Sequence, residues 1–358
     1  MSRPASATIH TDALQHNLAE VRRRAPGSRV MAVVKADGYG HGLERVAQAL
    51  AGADAFGVAS IADAERIRAT GSSKRIVLLS GFFEPADLSL IRRLQLDTVV
   101  HHETQLAMIE ADRDPAPLRL WVKFDSGMHR LGFDLADAER VAERIRALPQ
   151  CAEAPVWMTH FARSDEFEAA ATADQVARFD AALECLGGAR SLSNSAAVLG
   201  WPAAHRDWVR AGGALYGLSV VAGKTGADFG LRPAMSLTSR LVAVNHVPEG
   251  EAIGYGGVYV ARRPLRVGIV ALGYGDGYPR VAPSGTPVLV GGQRAPTVGR
   301  VSMDLMAIDL SHLPAAQVGD PVTLWGPDLP VEHIAEAAGT ISYELTCGIT
   351  RRVRFVED

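Results

Sequence analysis

The sequence predicts a (β/α)8 barrel of the TIM type followed by a smaller, mostly β C-terminal domain. Three observations carry that expectation. Eight short apolar runs alternate with helix-like stretches through the first two-thirds of the chain, polar motifs fall just after the runs, and the alternation stops near residues 226–233. The expected division is 1–230 for the barrel and 231–358 for the β domain.

The predicted barrel strands are 30–34, 55–58, 76–79, 98–100, 118–124, 155–159, 190–192 and 208–210, rich in Val, Ile and Leu. A parallel strand covered on both faces reads as a continuous apolar run. Between the strands, 43–51, 62–70, 88–94, 134–148 and 173–186 return apolar residues at steps of three and four, which line one helix face. An open doubly wound sheet alternates in a similar way; the count of eight and the placement of the motifs favour the barrel. Beyond 233 the extended segments 236–244, 265–272, 287–290, 305–310 and 321–325 are separated by turns such as Pro248-Glu249-Gly250 and Pro283-Ser284-Gly285. One helix, 331–338, interrupts them.

With 358 residues, the chain has room for two cores, and 47% hydrophobic with 22% charged residues excludes a disordered polymer. A formal net charge of -3 argues against a nucleic-acid partner, which demands a clustered basic surface. Arg22, Arg23 and Arg24 follow Glu20 on a helix-like stretch and read as a solvated face. Cys151, Cys185 and Cys347 lie far apart, with neither a disulfide framework nor a metal-ligand spacing, so no metal is expected. The first ten residues hold no apolar stretch of signal-peptide length and no run approaches a membrane span, so a cytoplasmic protein is expected.

Lysine is scarce: Lys35, Lys74, Lys123 and Lys224 stand among many arginines. Lys35 closes a predicted strand and opens Ala36-Asp37-Gly38-Tyr39-Gly40-His41-Gly42. A side chain there points into the end of the barrel where active sites are built. Desolvation lowers an amine's pKa and frees it for covalent or base chemistry. A basic residue leaving a strand for solvent is the plain alternative.

Val33-Val34-Lys35-Ala36-Asp37-Gly38-Tyr39-Gly40-His41-Gly42 resembles the pyridoxal-phosphate attachment signature of bacterial alanine racemases. The similarity continues in order through Lys123-Phe124-Asp125-Ser126-Gly127-Met128-His129-Arg130-Leu131-Gly132, Thr159-His160-Phe161-Ala162, Ser193-Asn194-Ser195 and Arg210-Ala211-Gly212-Gly213-Ala214-Leu215-Tyr216-Gly217. In the second domain it runs through Gly254-Tyr255-Gly256, Gly273-Tyr274-Gly275-Asp276-Gly277-Tyr278-Pro279-Arg280 and Gly299-Arg300-Val301-Ser302-Met303-Asp304. Any one segment is weak; the ordered set is specific.

The resemblance implies an amino-acid racemase that interconverts L- and D-alanine on pyridoxal 5'-phosphate. Lys35 would carry the cofactor and serve as one base, with Tyr255 as the other on the opposite face. Tyrosine ordinarily titrates at about 10, so positive neighbours must favour its phenolate. His160 and Arg210 resemble the residues that do so, and Arg210 also matches the partner of the cofactor's ring nitrogen. Because arginine keeps its proton, that nitrogen would stay unprotonated, which disfavours transamination and decarboxylation. Tyr39, Asn194, Ser195 and the backbone of Gly212 and Gly213 would bind the cofactor at its phosphate end. A serine-rich turn is otherwise ordinary helix capping. Arg130 would orient the cofactor's phenolic oxygen and the substrate carboxylate, and the Met303 N–H would receive that carboxylate too. Lys123 matches a position often carbamylated, and Asp165, Tyr274, Arg280 and Arg300 match the entrance.

One departure bears on specificity. Arg351 stands where many members carry a tyrosine that narrows the pocket, so a broader racemase acting on serine or basic amino acids is the first alternative. A fold-related amino-acid decarboxylase is the second; its motifs fit worse. The resemblance also implies a homodimer with shared active sites, in which the β domain supplies Tyr255 to the partner's barrel.

Overall fold

The computed structural model describes residues 3–151 and 153–358. Two compact units make up the chain. One comprises Gln15–Leu215 and Val221–Gly223; the other takes the residues up to Leu14, Tyr216–Val220 and Lys224–Asp358. The opening strand, β1 (Ser6–Ile9), thus belongs with the C-terminal unit.

The first unit is a parallel barrel. Its strands are β2 (Arg29–Val33), β3 (Ala55–Val58), β4 (Arg75–Leu78), β5 (Leu96–Val100), β6 (Arg119–Asp125), β7 (Val156–Met158), β8 (Arg190–Ser191) and β9 (Trp208–Ala211). Each pairs with the next from β2 to β8, and β9 returns to β2 with Trp208 opposite Arg29. The remaining seam, between β8 and β9, is bridged by backbone and side-chain hydrogen bonds. The Arg210 N–H donates to the Ser193 carbonyl at 2.9 Å, and the Ser191 hydroxyl to the Trp208 carbonyl at 3.0 Å.

Side chains from successive strands fill the interior: Met31, Ala55, Val77, Val99, Trp121, Val156, Met158 and Trp208 form one buried cluster. The outer helices show the matching stripe. Ala138–Ala147 buries Ala138, Val141, Ala142 and Ile145, spaced as one face demands. Ser60 caps Ile61–Ala69 by accepting the Asp63 N–H at 3.1 Å.

At the N-terminal end of the barrel, Arg29, Arg75 and Arg119 each open a strand. Asp97 on β5 is 0% exposed and answers two of them, with Arg119 Nε at 2.7 Å and Arg75 beside it, while also accepting from the Trp121 indole at 2.8 Å. Arg29 lies over the Trp208 ring at 4.3 Å.

In the second unit, Met235–Val247 runs antiparallel to Pro321–Trp325 along its first half and to Leu265–Val270 along its second. Register shifts at Leu237–Thr238 and Leu241–Ala243 accompany the change of partner. Leu265–Val270, Met306–Asp309, Gln293–Val298, Pro287–Val290 and Pro321–Trp325 pair in turn, so six strands close on themselves. Strand β1 and then Arg354–Glu357 extend the sheet beyond Met235–Val247. Three of these strands, Ser6–Ile9, Gln293–Val298 and Arg354–Glu357, lie outside the sequence reading. Two are four-residue terminal runs, and the third holds Pro296, which argues against a strand in isolation. No helix among the described residues is long and apolar enough to cross a membrane.

Asp97→Ala is expected to strip both arginines of their carboxylate and orphan the buried Trp121 N–H, at a cost of about 3 kcal/mol. Asp97→Asn, which keeps an acceptor for the indole, should cost less. Urea unfolding of the two variants measures this; an Asp97→Ala loss below about 1 kcal/mol would mean solvent satisfies the arginines unaided.

Candidate active site

The C-terminal rim of the barrel is built on an unusual turn. Directly after Lys35 the backbone enters the left-handed region and stays there, with φ of 54° at Ala36, 54° at Asp37, 63° at Gly38, 53° at Tyr39 and 80° at Gly40. Three of the five are not glycine, and each such residue costs about 1–2 kcal/mol. Local contacts hold the strain. The Gly40 N–H reaches the Ala36 carbonyl at 3.0 Å and the Gly42 N–H the Asp37 carbonyl at 2.8 Å. His41, fully buried, sets Nδ1 at 2.9 Å from the Tyr39 carbonyl, and Asp37 accepts from the Leu43 N–H at 3.1 Å and from Arg66 at 2.7 Å. A side chain at Gly38 would press on Val46, which explains one of the glycines. The turn leaves Lys35 exposed at the rim.

Facing inward from the neighbouring strands is a set of cations. Arg210, on β9 and 4% exposed, donates from Nη1 to the Ser191 carbonyl and hydroxyl, both at 2.8 Å. Its Nη2 donates to the Thr159 carbonyl at 2.7 Å and to His160 Nδ1 at 3.3 Å. Among the described residues no carboxylate pairs with it and none of its hydrogen bonds uses Nε. Burial lowers its pKa to about 10, so it stays charged at neutral pH.

His160 follows β7. Arginine can only donate, so His160 Nδ1 accepts and its proton sits on Nε2. Burial first, then the charges of Arg210, Lys123, Arg130 and Lys35, hold its pKa well below the ordinary histidine range. The ring is neutral. Lys123, 6% exposed on β6, is pushed down to about 8, chiefly by burial and then by Arg210 and Arg130. Arg130 is exposed and finds no carboxylate among the described residues. Asp125 accepts the N–H groups of Gly127, Met128 and His129 at 2.8–3.1 Å and so ties the loop that carries Arg130.

At the barrel's closing loop, Ser195 Oγ accepts from the Gly212 N–H at 2.8 Å and the Ala214 N–H at 3.2 Å. Its own proton therefore points elsewhere. The Gly212 N–H, expected at the phosphate end of the cofactor, is held by Ser195, while the Gly213 N–H and the Ser195 hydroxyl are further donors there. The Gly212 α-carbon packs against the Tyr39 hydroxyl, where any side chain at 212 would collide. Asn194, also expected at the cofactor, has a local task as well. Its side chain caps Ser195–Gly200 through the Ala197 N–H at 3.1 Å and accepts from Ser164 at 2.8 Å, so it orients the helix. Asp165 sits half-buried just after Ser164.

The second unit gathers the other expected residues. Tyr255 opens a short turn between Ala252–Ile253 and Tyr259–Val260 and is 70% exposed. Gly254, Gly256 and Gly257 around it all have positive φ, and the Arg300 guanidinium lies against Gly256. Arg280 and Arg300 line a cavity of about 400 Å3 with Val258 and Ser284. The Met303 carbonyl accepts the Gly275 N–H at 2.8 Å, next to Tyr274, and no described residue accepts the Met303 N–H.

Residues 9–220 match the N-terminal domain model of alanine racemase, and residues 234–357 match the C-terminal domain model. The chain belongs to the alanine racemase family. An alanine racemase of Shewanella amazonensis is 51% identical over 353 residues, covering 97% of each chain. The crystal structure of biosynthetic alanine racemase from Pseudomonas aeruginosa superposes with a TM-score of 0.97 at 47% identity over 99% of both chains. That of alanine racemase from Bartonella henselae, with covalently bound pyridoxal phosphate, gives 0.89 at 25% identity over 99% of each. The family match leaves the decarboxylase alternative without support.

Residues that the sequence reading passed over also reach this site: His41 beneath the left-handed turn, His101 after β5, and a buried polar trio of Ser126, Thr159 and Gln175. Gln175 alone left a signal, a polar residue on the stripe Thr172, Gln175, Phe179 that a helix turns inward.

The lowered pKa of Lys123 carries a stability consequence. The charged amine is penalised in the folded state below pH about 8, and the penalty is gone above the ordinary lysine value of 10.5. In protein freed of cofactor and carbon dioxide, Lys123→Met should raise the unfolding free energy at pH 7 by about 2–3 kcal/mol. The gain should fade as pH rises from about 8 to above 10.5. Denaturant unfolding at pH 7 and pH 10.5 reads this; equal stability at both would show that water screens the amine.

Proposed function

We propose that this protein interconverts L- and D-alanine in homodimers, using pyridoxal 5'-phosphate attached to Lys35 and two bases, Lys35 and Tyr255 of a second copy. The observation that carries this reading is a rim of cations around a neutral histidine, in a chain that matches alanine racemases over 97% of its length. Three features suit an anionic, phosphate-bearing aromatic cofactor. Lys35 offers an exposed amine, Ser195 has a hydroxyl proton to spare for phosphate, and Arg210 has an uncommitted Nε. Tyr39 and the Gly213 N–H would complete the phosphate cradle. When bound, pyridoxal phosphate would draw electrons from the substrate's Cα–H bond and so acidify it.

The chain's own residues then divide the work. Racemisation requires a proton to leave one face of Cα and return on the other. Lys35 Nζ would hold the proton on one side and the Tyr255 phenol on the other. His160, with its proton on Nε2, would donate toward the Tyr255 phenolate, backed by the Arg210 charge at Nδ1. Arg210 donates and never accepts, so it would leave the ring nitrogen unprotonated and temper electron withdrawal, which favours return of the proton over decarboxylation. Arg130 and the Met303 N–H would bind the substrate carboxylate. Lys123, with roughly a tenth of its amine neutral at pH 7, would attack carbon dioxide; the new N–C bond forms as the amine loses a proton, leaving a carbamate to brace Arg130. Asp165, Tyr274, Arg280 and Arg300 would line the entrance. Arg351 is exposed, and a panel of alanine, serine, lysine and arginine enantiomers would measure how strictly alanine is chosen.

Lys35→Ala should abolish turnover in both directions and remove the borohydride-sensitive visible band. Tyr255→Phe should keep the band, lose racemisation by about 10²–10⁴-fold, and retain Cα exchange into heavy water for one enantiomer only. Unchanged racemisation by Tyr255→Phe would refute the two-base assignment. The shared site has a further consequence. Mixing these two inactive variants and letting subunits exchange should restore about a quarter of wild-type activity, because half of the dimers would carry one intact site of two. No recovery after proven exchange would place both bases on one chain.

A further inference from the structure

Gln175 sits on the helix Ala171–Ala182, 2% exposed, and belongs to none of the groups described above as touching substrate or cofactor. Its side-chain amide has one acceptor and two donor protons, and all three are used. Oε1 accepts the Ala162 N–H at 2.9 Å. Nε2 donates to the His160 carbonyl at 3.2 Å and to Ser126 Oγ at 3.2 Å. Ser126 in turn shares a hydrogen bond of 2.8 Å with the Thr159 hydroxyl, and the Thr159 carbonyl receives Arg210 at 2.7 Å. One amide thus grips the backbone on both sides of Phe161 in the loop after β7, and reaches the loop after β6 four residues before Arg130.

This arrangement is more than satisfaction of a buried group. A glutamine can hydrogen-bond anywhere along a helix, yet this one spends every bond on two loops and none on its own helix. The two loops carry His160 and Arg130, between which no hydrogen bond is present among the described residues. Packing alone would hold neither carbonyl nor N–H of the 160–162 segment in a fixed direction, because that segment has no strand partner.

We infer that Gln175 is a positioning residue for racemisation: its amide clamps the His160 backbone and the Ser126 hydroxyl together, setting the imidazole against Arg210 while holding the Arg130 loop. The inference rests on the functional reading above, so its test includes a readout that needs no turnover.

Gln175→Met keeps the volume and removes all three hydrogen bonds. In the holoenzyme, kcat should fall on the order of tenfold to a hundredfold while the visible cofactor band is retained. In protein labelled with 15N-histidine, the His160 ring signal, assigned by its loss in His160→Gln, should shift or split as the imidazole leaves Arg210. Ser126→Ala removes the bond to the loop after β6 and the Thr159 hydroxyl's partner but keeps both Gln175 bonds to the 160–162 segment; KM for alanine should rise severalfold, with kcat and the His160 signal changed less than in Gln175→Met. Full kcat with an unchanged His160 signal in Gln175→Met overturns the clamp, and so does a loss of activity that merely tracks lost cofactor. If Gln175→Met does not fold, Ser126→Ala decides: a raised KM supports the clamp, and unaltered constants overturn it. A wild-type holoenzyme that fails to invert alanine sinks the functional reading instead, leaving the His160 signal to report on the clamp.

Discussion

A single buried charge organises the barrel end of this protein. Arg210 lies on the last strand, and its backbone closes the seam to the Ser193 carbonyl while its side chain spans the ends of β7 and β8. Burying a guanidinium without a carboxylate costs several kcal/mol unless its protons find acceptors. Here carbonyl dipoles from Thr159, Ser191 and Leu192 supply them. A carboxylate would have been the simpler counterpart, yet it would have cancelled the charge. Carbonyls satisfy the protons and leave the field in place, and that field reaches His160 and Lys123 alike. Burial and that field together keep His160 neutral and bring Lys123 down to about 8.

The left-handed turn after Lys35 reflects the same economy. Strain of several kcal/mol would be lost at once in an unsupported loop. His41, Asp37 and Arg66 hold it from three sides, so the strand-end lysine emerges at one fixed place. A flexible loop could also present an amine, but it would present it in many directions. A base that must serve one face of a planar centre gains from the stiffer answer.

How much of this was legible in the sequence depends on the range of the signal. Most of the eight barrel strands were visible as apolar runs, the two-residue Arg190–Ser191 being an exception, and the predicted bounds fall within a few residues of the structure. Lys35, Lys123, His160 and Arg210 stood out through motifs whose order spans the chain. What the sequence withheld were contacts between distant segments. Gln175 touches Ser126 across 49 positions, and Asp97 touches Trp121 across 24. The local partners of Gly212 and Asn194 were hidden for a related reason: a polar group next to a motif does not announce what it binds. Ser195 and Ala197 are those partners. The run of positive φ at Ala36, Asp37 and Tyr39 could not be read at all, since these residues have no preference for it.

On the proposed function, the chemistry of the barrel unit gives a reason for a second unit. Inversion at carbon requires two groups that can each hold and release a proton. Among the groups at the rim, Arg130 and Arg210 keep their protons, and His160 has its Nδ1 lone pair occupied and its pKa held low. Lys123 is sunk in the wall at 6% exposure. Lys35, exposed at the rim, is the group that the proposed reading makes the base on this side. Tyr255 has the opposite situation: an exposed phenol on a turn whose three glycines give it little cover of its own. A phenol so displayed is poorly placed to act within its own unit, because it is 70% exposed there. It is well placed to be brought to a cationic rim by assembly, and a rim rich in positive charge is the environment in which a phenolate is least costly.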